Sequence, residues 1–462
     1  MRRARVARRD TREDRMAKSN LTRRNLVRRG ATAAAAGVAA FNVRGAHAAG
    51  KLSVGFWDHW VPGANDSLTA LCKEWAAKEK VDIQIDYITS QGNKNLLTIA
   101  AEAQARSGHD ILAFPTWYPA DYARQLEPVD DIMAELIKKN GAVNRTVEYL
   151  GKANGKWVAV PAAPGSQMKP PCSRIDLMKQ HAGIDVQAMY PAGGPPKADA
   201  WTWDAFLGAA EKCFKAGVPF GLPLGQTSDA VDWVGALFQS HRAQLVNSNG
   251  DIIVKSDAVR QVLEYAKRLV QWLPTDVFSW DDASNNRWII SGRGALIMNP
   301  PSSWAVAVRD APQIGAQLWT HGMPAGPNGR YAPFLPYFWG IWNFSKNKSA
   351  AKSLIMALCQ PEAIAKLVEG SRGYDLPSFA NLTTLKTWGE IEPPKGTLYH
   401  YPNPHNHQIQ SIAAAPCPPK IANQIYTQAT MTKMIARVTT QGESIDKCLD
   451  WAQRELQGFK RA

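Results

Sequence analysis

The sequence predicts an α/β protein of two lobes, and three observations carry that prediction. After residue 50, strand-like and helix-like patterns alternate as β-α-β-α-β, an order that calls for a parallel sheet with helices on its faces. The prolines Pro161, Pro164, Pro170 and Pro171 read as a stiff connection between lobes rather than a sheet interior. The chain has 462 residues, 45% hydrophobic and 20% charged, which is more than one core of ordinary size takes up.

The elements follow in order. Leu52–Trp57 reads as a strand and leads into a loop holding Trp57, Asp58, His59 and Trp60. Leu68, Leu71, Cys72, Trp75 and Ala76 then form one apolar stripe at helical spacing. Residues 81–87 alternate strictly and predict a half-buried strand; a helix over 94–105 and a short buried strand over 110–114 follow. Open parallel sheets place ligands beyond the carboxyl ends of their strands, where Trp57–Trp60 and Thr116-Trp117-Tyr118 fall. Helical patterns come next at about 174–182, 202–216, 229–242, 257–273 and 282–291. Gly294–Met298 reads as a strand, Asn299–Trp304 as a turn and Phe338–Phe344 as an aromatic strand. Helices are expected over 350–358, 361–369, 420–437 and 443–457. There are no repeats, and no run of about 18 uninterrupted apolar residues that would make a membrane span.

The formal charge of +14 points at first to a nucleic-acid partner. Its distribution removes that reading. Residues 1–48 hold thirteen Lys/Arg against three Asp/Glu, a net of +10, which leaves +4 for everything after them. A body so close to neutral is a poor electrostatic glove for DNA. The leader itself has the order of an export signal. Thr22-Arg23-Arg24-Asn25-Leu26-Val27 is a twin-arginine pattern, Ala31–Phe41 is weakly apolar, and Ala46-His47-Ala48 offers a small-x-small cleavage site. Met16 is an alternative start. The expected product is a periplasmic protein beginning near residue 49.

The six cysteines, at 72, 172, 213, 359, 417 and 448, allow fifteen full pairings, and no CxxC occurs. Cys72, Cys213, Cys359 and Cys448 lie on apolar helical patterns and read as small buried hydrophobes. Nucleophile-elbow, phosphate-loop, HExxH and dinucleotide signatures are all missing. The acid pairs Asp130–Asp131 and Asp281–Asp282 read as solvated surface rather than catalytic carboxylates. His400, His405 and His407 have zinc-ligand spacing, but Pro402 and Pro404 between them favour a polar surface loop. All seventeen tryptophans lie after residue 50. Trp75, Trp203 and Trp451 sit on helical stripes and belong to the core. Trp57, Trp60, Trp117 and Trp304 sit in loops near strand ends, with Asp58, Gln91, Asn93, Asn299 and Asp375 also in loops. Flat aromatic faces suit the C–H face of a sugar ring, and planar polar groups suit its hydroxyl rim.

The order of several segments resembles the extracellular solute-binding proteins that serve carbohydrate ABC importers. They are Gly155–Pro161 with Ser173–Leu177, Trp201–Phe206, Ser291–Asn299, Met323–Pro327 with Trp339-Gly340-Ile341, and Ser345–Lys348 with Gln360–Ala363. The resemblance implies the two-lobed (type II) periplasmic binding fold, each lobe a mainly parallel sheet flanked by helices, with ligand in the cleft and closure on binding. It places one lobe in 49–163 plus 338–415 and the other in 164–337 plus 416–462. The expected ligand contacts are Trp57, Asp58, Trp60, Gln91, Trp117, Gln167, Asn299, Trp304, Trp339 and Asp375. Trp304 falls where the family carries a sugar-stacking indole, Gln167 in the region of a polar contact, and Asp375 in a proline-containing ligand loop. The implied function is that of a monomeric, non-enzymatic sugar receptor with no cofactor, no metal and no nucleic acid, whose partner is an inner-membrane permease. The alternatives are a receptor for a polyamine, a glycerol phosphate or an aromatic acid, and an exported polysaccharide hydrolase or lyase. Acids clustered in the cleft would favour a polyamine; two carboxylates facing each other across it would favour a hydrolase.

Overall fold

The computed structural model describes residues 50–191, 195–299, 302–383, 385, 387 and 409–461. The leader, the cleavage site and the His400–His407 cluster lie outside the described residues.

Two sheets organise the chain. The larger contains β1 (Lys51–Trp57), β2 (Asp82–Ile88), β3 (Ile111–Pro115), β4 (Val160–Met168), the short β8 (Ala325–Gly326), the long β9 (Gly329–Ile341) and β10 (Ile409–Ser411). Its main path runs β8-β9-β3-β1-β2, with β4 and β10 also pairing β9. β1 is parallel to both β2 and β3, as the β-α-β-α-β order requires. The crossovers are α1 (Ala64–Glu79) and α2 (Lys94–Ala105). β2 lies at the end of the path and is half-covered, which is why its sequence alternates; central β1 and β3 are almost continuously buried.

The smaller sheet has the order β6-β5-β7, from β5 (Pro171–Arg174), β6 (Leu296–Met298) and β7 (Leu318–Thr320). Both of its pairings are antiparallel, where parallel strands were expected. α6 (Ser284–Ile290) packs on β6 and α7 (Ser302–Asp310) on α6, while α3 (Trp203–Lys215) and α5 (Asp257–Val270) lie against each other and α4 (Ser228–Ser240) packs on β9. Thr202, Thr227 and Ser256 cap α3, α4 and α5 through side-chain oxygens that accept from Ala205, Ala230 and Val259 N–H. After β9 come α8 (Lys348–Leu358), α9 (Pro361–Gly370), α10 (Pro419–Thr427), α11 (Thr430–Thr439) and α12 (Ile445–Arg461).

Several expectations change on this scaffold. The proline-rich stretch is not simply a connection: Val160–Met168 is a strand, antiparallel to β9. Its prolines are tolerated because β4 pairs only with β9 and bows out between Ala162 and Gln167. The chain then crosses to the smaller sheet at Lys169–Pro170 and returns after Thr320. Positions 163/164 and 337/338 lie within β4 and β9. Trp304, expected in a turn, lies in the first turn of α7. The aromatic strand starts at Gly329 rather than Phe338 and ends at Ile341. The pattern over 420–437 splits into α10 and α11 at Ala429, whose φ is +51°. All six cysteines are buried free thiols, and burial pushes Cys72, Cys359, Cys417 and Cys448 up to about 12.

Candidate functional site

Two adjoining cavities of about 90 Å³ and about 30 Å³ share Ser90, Ser228, Asp282, Leu335 and Tyr337 in their walls. One side is made by loops that follow the parallel strands: Trp57 and Trp60 after β1, Ser90–Leu96 after β2, and Pro115 and Tyr118 at the end of β3. The other side comes from the start of α4, from Asp282 and α6, from Asn299 with Ser302, and from α10. The two crossing strands contribute Gln167 and Tyr337, and Lys169 follows directly after β4.

The aromatic side is rigidly built. The Trp57 ring stacks on Tyr374 at 6.2 Å and 22°, and lies 5.3 Å from Tyr337. Behind it, Val61 N–H donates to His59 Nδ1 at 2.9 Å, so His59 Nε2 carries the hydrogen that Asp375 accepts at 3.0 Å. Asp375 also accepts from Gly165 N–H at 2.9 Å. His59 is thereby fixed against both Tyr374 and Trp57, at 4.6 and 4.9 Å. The outward bow of β4 serves this arrangement: Gly165 has φ +89°, and a Cβ there would stand 2.8 Å from the Tyr337 ring. Ser166 Oγ accepts the Tyr337 N–H that the bow would otherwise leave unpaired.

The polar side is a buried charge cluster. Lys169 Nζ lies 2.7 Å from Asp229 Oδ1, 2.8 Å from Asp232 Oδ2 and 3.1 Å from Ser228 Oγ. Burial alone would lower the lysine's pKa; Asp229 and Asp232 outweigh it and raise the value. Asn299 Nδ2 donates to Asn285 and Asn286, and Asn285 Nδ2 donates in turn to Asp229 Oδ2 at 2.8 Å. Asp282 stands beside Asp229 and lines both cavities. Burial first, then the Asp229 carboxylate, push it up to about 7.

Of the residues singled out from sequence, Trp57, Trp60, Gln167 and Asn299 come together in the smaller cavity. Asp375 lies one layer behind them, and Asp58 accepts from Asn65 Nδ2 at 2.8 Å in the adjoining loop. Gln91 is exposed and lines neither cavity, although its neighbours Ser90 and Asn93 line the larger one. Trp117 is fully buried, its Nε1 donating to Ala413 O at 3.0 Å. Trp339 packs on Phe56 inside the larger sheet, and Trp304 is buried and lines neither cavity. The pair read as surface acid divides. Asp281 is exposed and paired with Arg287, whereas Asp282 turns into the cleft because the α6 start packs against α4. Sequence reasoning also missed Tyr337, Asp229 and Asp232, and placed Tyr374 in the ligand-loop segment beside Asp375 without singling it out as a contact. Asp229 and Asp232 did leave a signal: two acids three residues apart on an otherwise apolar helix need a buried partner.

Residues 70–391 match the family described as bacterial extracellular solute-binding protein. A probable ABC transporter-binding protein of Deinococcus radiodurans is 26% identical over 246 residues, 49% of this chain, and the match spans about half (53%) of that relative's own length. Maltose-bound MalE3 of T. maritima superposes with a TM-score of 0.70 at 16% identity, covering 88% of this chain and 99% of that one. A sugar transporter of Arthrobacter chlorophenolicus with bound laminaribiose gives 0.67 at 16% identity, covering 88% and 99%. At that identity the likeness establishes the architecture, the two-lobed binding-protein fold. With a family match over most of its length, the chain belongs to the bacterial extracellular solute-binding proteins.

Proposed function

We propose that the protein is a periplasmic receptor, exported through its twin-arginine leader, that binds a carbohydrate between its lobes and hands it to an ABC importer. The observation that carries this reading is the lining of the paired cavities. Trp57, Trp60 and Tyr337 offer flat apolar faces, and Gln167, Asn286 and Asn299 offer planar polar groups in the same wall. Similar folds bound to maltose and laminaribiose support the ligand class. On this reading each sheet is the core of one lobe, with the chain passing between the sheets at Lys169–Pro170 and after Thr320. Cavities of about 90 and 30 Å³ are far below the ~300–1,000 Å³ of open small-molecule sites, so a sugar enters only when the lobes part. The permease would then read closure rather than the sugar itself.

The receptor acts as a monomer and changes no covalent bond. Asp229, Asp232 and Asp282 stand together on one side of the cleft beside Lys169, and the other side is aromatic. That is not the arrangement of two carboxylates flanking a scissile bond. The test is a calorimetric screen of the purified protein against maltose, laminaribiose, glucose, galactose, glucosamine and galactosamine, with assay of released reducing ends. Saturable binding with unchanged sugar supports the proposal; release of reducing ends, or binding by no sugar tried, overturns it.

A further inference from the structure

The smaller cavity holds an excess of acceptors. Lys169 is the cation beside it, and an ammonium has three donors. Asp229, Asp232 and Ser228 take them, at 2.7, 2.8 and 3.1 Å. Lys169 has no hydrogen left to donate to Asp282, on which it acts only through its charge, and among the described residues no second cation pairs with that carboxylate. Three acids thus share one base in a place where an unpaired charge is costly; Asp229 and Asp282 both line the smaller cavity, and Asp282, which also lines the larger one, is the one that takes no ammonium hydrogen.

An independent observation points the same way. Gln167 is 5% exposed, lines the same cavity as Asp282, and among the described residues its Oε1 accepts from nothing. An orphaned buried acceptor beside an uncompensated carboxylate asks for a donor that brings positive charge. The Trp57 indole N–H, 6% exposed and likewise unpartnered among the described residues, asks for the opposite, an acceptor such as a hydroxyl oxygen. A neutral sugar answers Trp57 and Gln167 but brings no cation to favour the charged form of Asp282, which burial and Asp229 disfavour. An anion is repelled, and a plain polyamine leaves the indole N–H without an acceptor.

We propose that the cleft is built for a ligand carrying a protonated nitrogen among its hydroxyls, an amino sugar or similar amino-polyol, with Asp282 and Gln167 receiving the nitrogen. The inference rests on the receptor reading above and narrows its ligand class.

The experiment is calorimetry at pH 7 with matched sets: glucose, glucosamine and N-acetylglucosamine, then the three galactose counterparts, with spermidine as the hydroxyl-free cation. The amine in at least one set should bind ten times more tightly, or better, than its neutral and acetylated partners. Asp282→Asn should abolish that preference, bringing the ratio of amine to neutral-sugar affinity from tenfold or more down to about one. Gln167→Met, which keeps the side-chain length and removes the acceptor, should weaken the amine about tenfold. Neutral sugars binding as well as their amines, or a preference that survives Asp282→Asn, overturn the inference and leave the receptor reading standing. Spermidine binding without any sugar overturns both the amino-polyol inference and the carbohydrate reading, and so does binding by none of the seven compounds.

Discussion

Lys169 Nζ stands 2.7 Å from Asp229 Oδ1, and neither side chain is more than 8% exposed. A buried pair of this kind does little for stability compared with a well-packed apolar core, yet removing one member leaves the other charge stranded. Lys169→Met should therefore cost about 3–5 kcal/mol, because it strands two carboxylates at once. Urea unfolding measures it. The triple variant Lys169→Met, Asp229→Asn, Asp232→Asn should recover most of the loss, since it removes the charges together. A single variant as stable as the parent would show that water reaches the cluster.

His109 gives the clearest pH dependence. Its Nδ1 lies 2.5 Å from Glu102 Oε1 and its Nε2 3.0 Å from Asp86 Oδ2, so α2 and β2 are tied to the residue that leads into β3. Burial lowers the imidazole pKa, but the hydrogen bonds the ring donates to Asp86 and Glu102 outweigh burial and raise it to about 9. A histidine held above its ordinary value stabilises fully below about 6.5 and loses that contribution as pH rises through 9. His109→Gln should then cost about 2–3 kcal/mol at pH 6 and much less at pH 10. Denaturant midpoints across that range test it; a penalty that does not change with pH would mean that the ring is held neutral.

What sequence disclosed and what it hid follow from the range of the forces involved. β1 to β3 and their helices were legible because alternation and helical stripes are local patterns, and a β-α-β order has essentially one handed solution. The loops after those strands, with Trp57 and Trp60, could be picked out for the same reason. Tyr374 was not legible as a site residue, because only the His59–Asp375 contact, 316 residues apart, brings it to Trp57. Asp282 looked like surface because its burial depends on α4, more than fifty residues earlier. Trp117 and Trp339 show the converse error: aromatic residues near strand ends serve a core as readily as a cleft.

Trp57 and Trp304 separate cleft from core. Trp57 faces the smaller cavity, whereas Trp304 is 2% exposed, within α7, and lines neither cavity. Trp57→Ala should weaken ligand binding at least tenfold, about 1.4 kcal/mol. Trp304→Ala should cost about 3–5 kcal/mol of unfolding free energy through the hole it leaves. Calorimetry and urea melts on both variants resolve the two effects. Parental affinity in Trp57→Ala would remove that ring from the site, and an unchanged melt in Trp304→Ala would put its indole at the surface.

Gly165 couples backbone conformation to the shape of the binding site. Its φ of +89° already disfavours any side chain, and a Cβ would stand 2.8 and 2.9 Å from Tyr337 Cδ2 and Cγ and 3.1 Å from Trp57 Cε3. These atoms belong to buried rings packed on one another, so neither ring yields easily. Gly155 is the matched control, with φ +78° and nothing within 4 Å of its Cβ. Gly155→Ala should cost only the backbone strain, about 1 kcal/mol, and leave ligand affinity unchanged. Gly165→Ala should cost about 1–3 kcal/mol more and weaken binding at least threefold, because Tyr337 and Trp57 must move toward the ligand space to admit the methyl. Equal losses in the two variants would mean that the rings give way freely and that the bow in β4 does not set the cleft's shape.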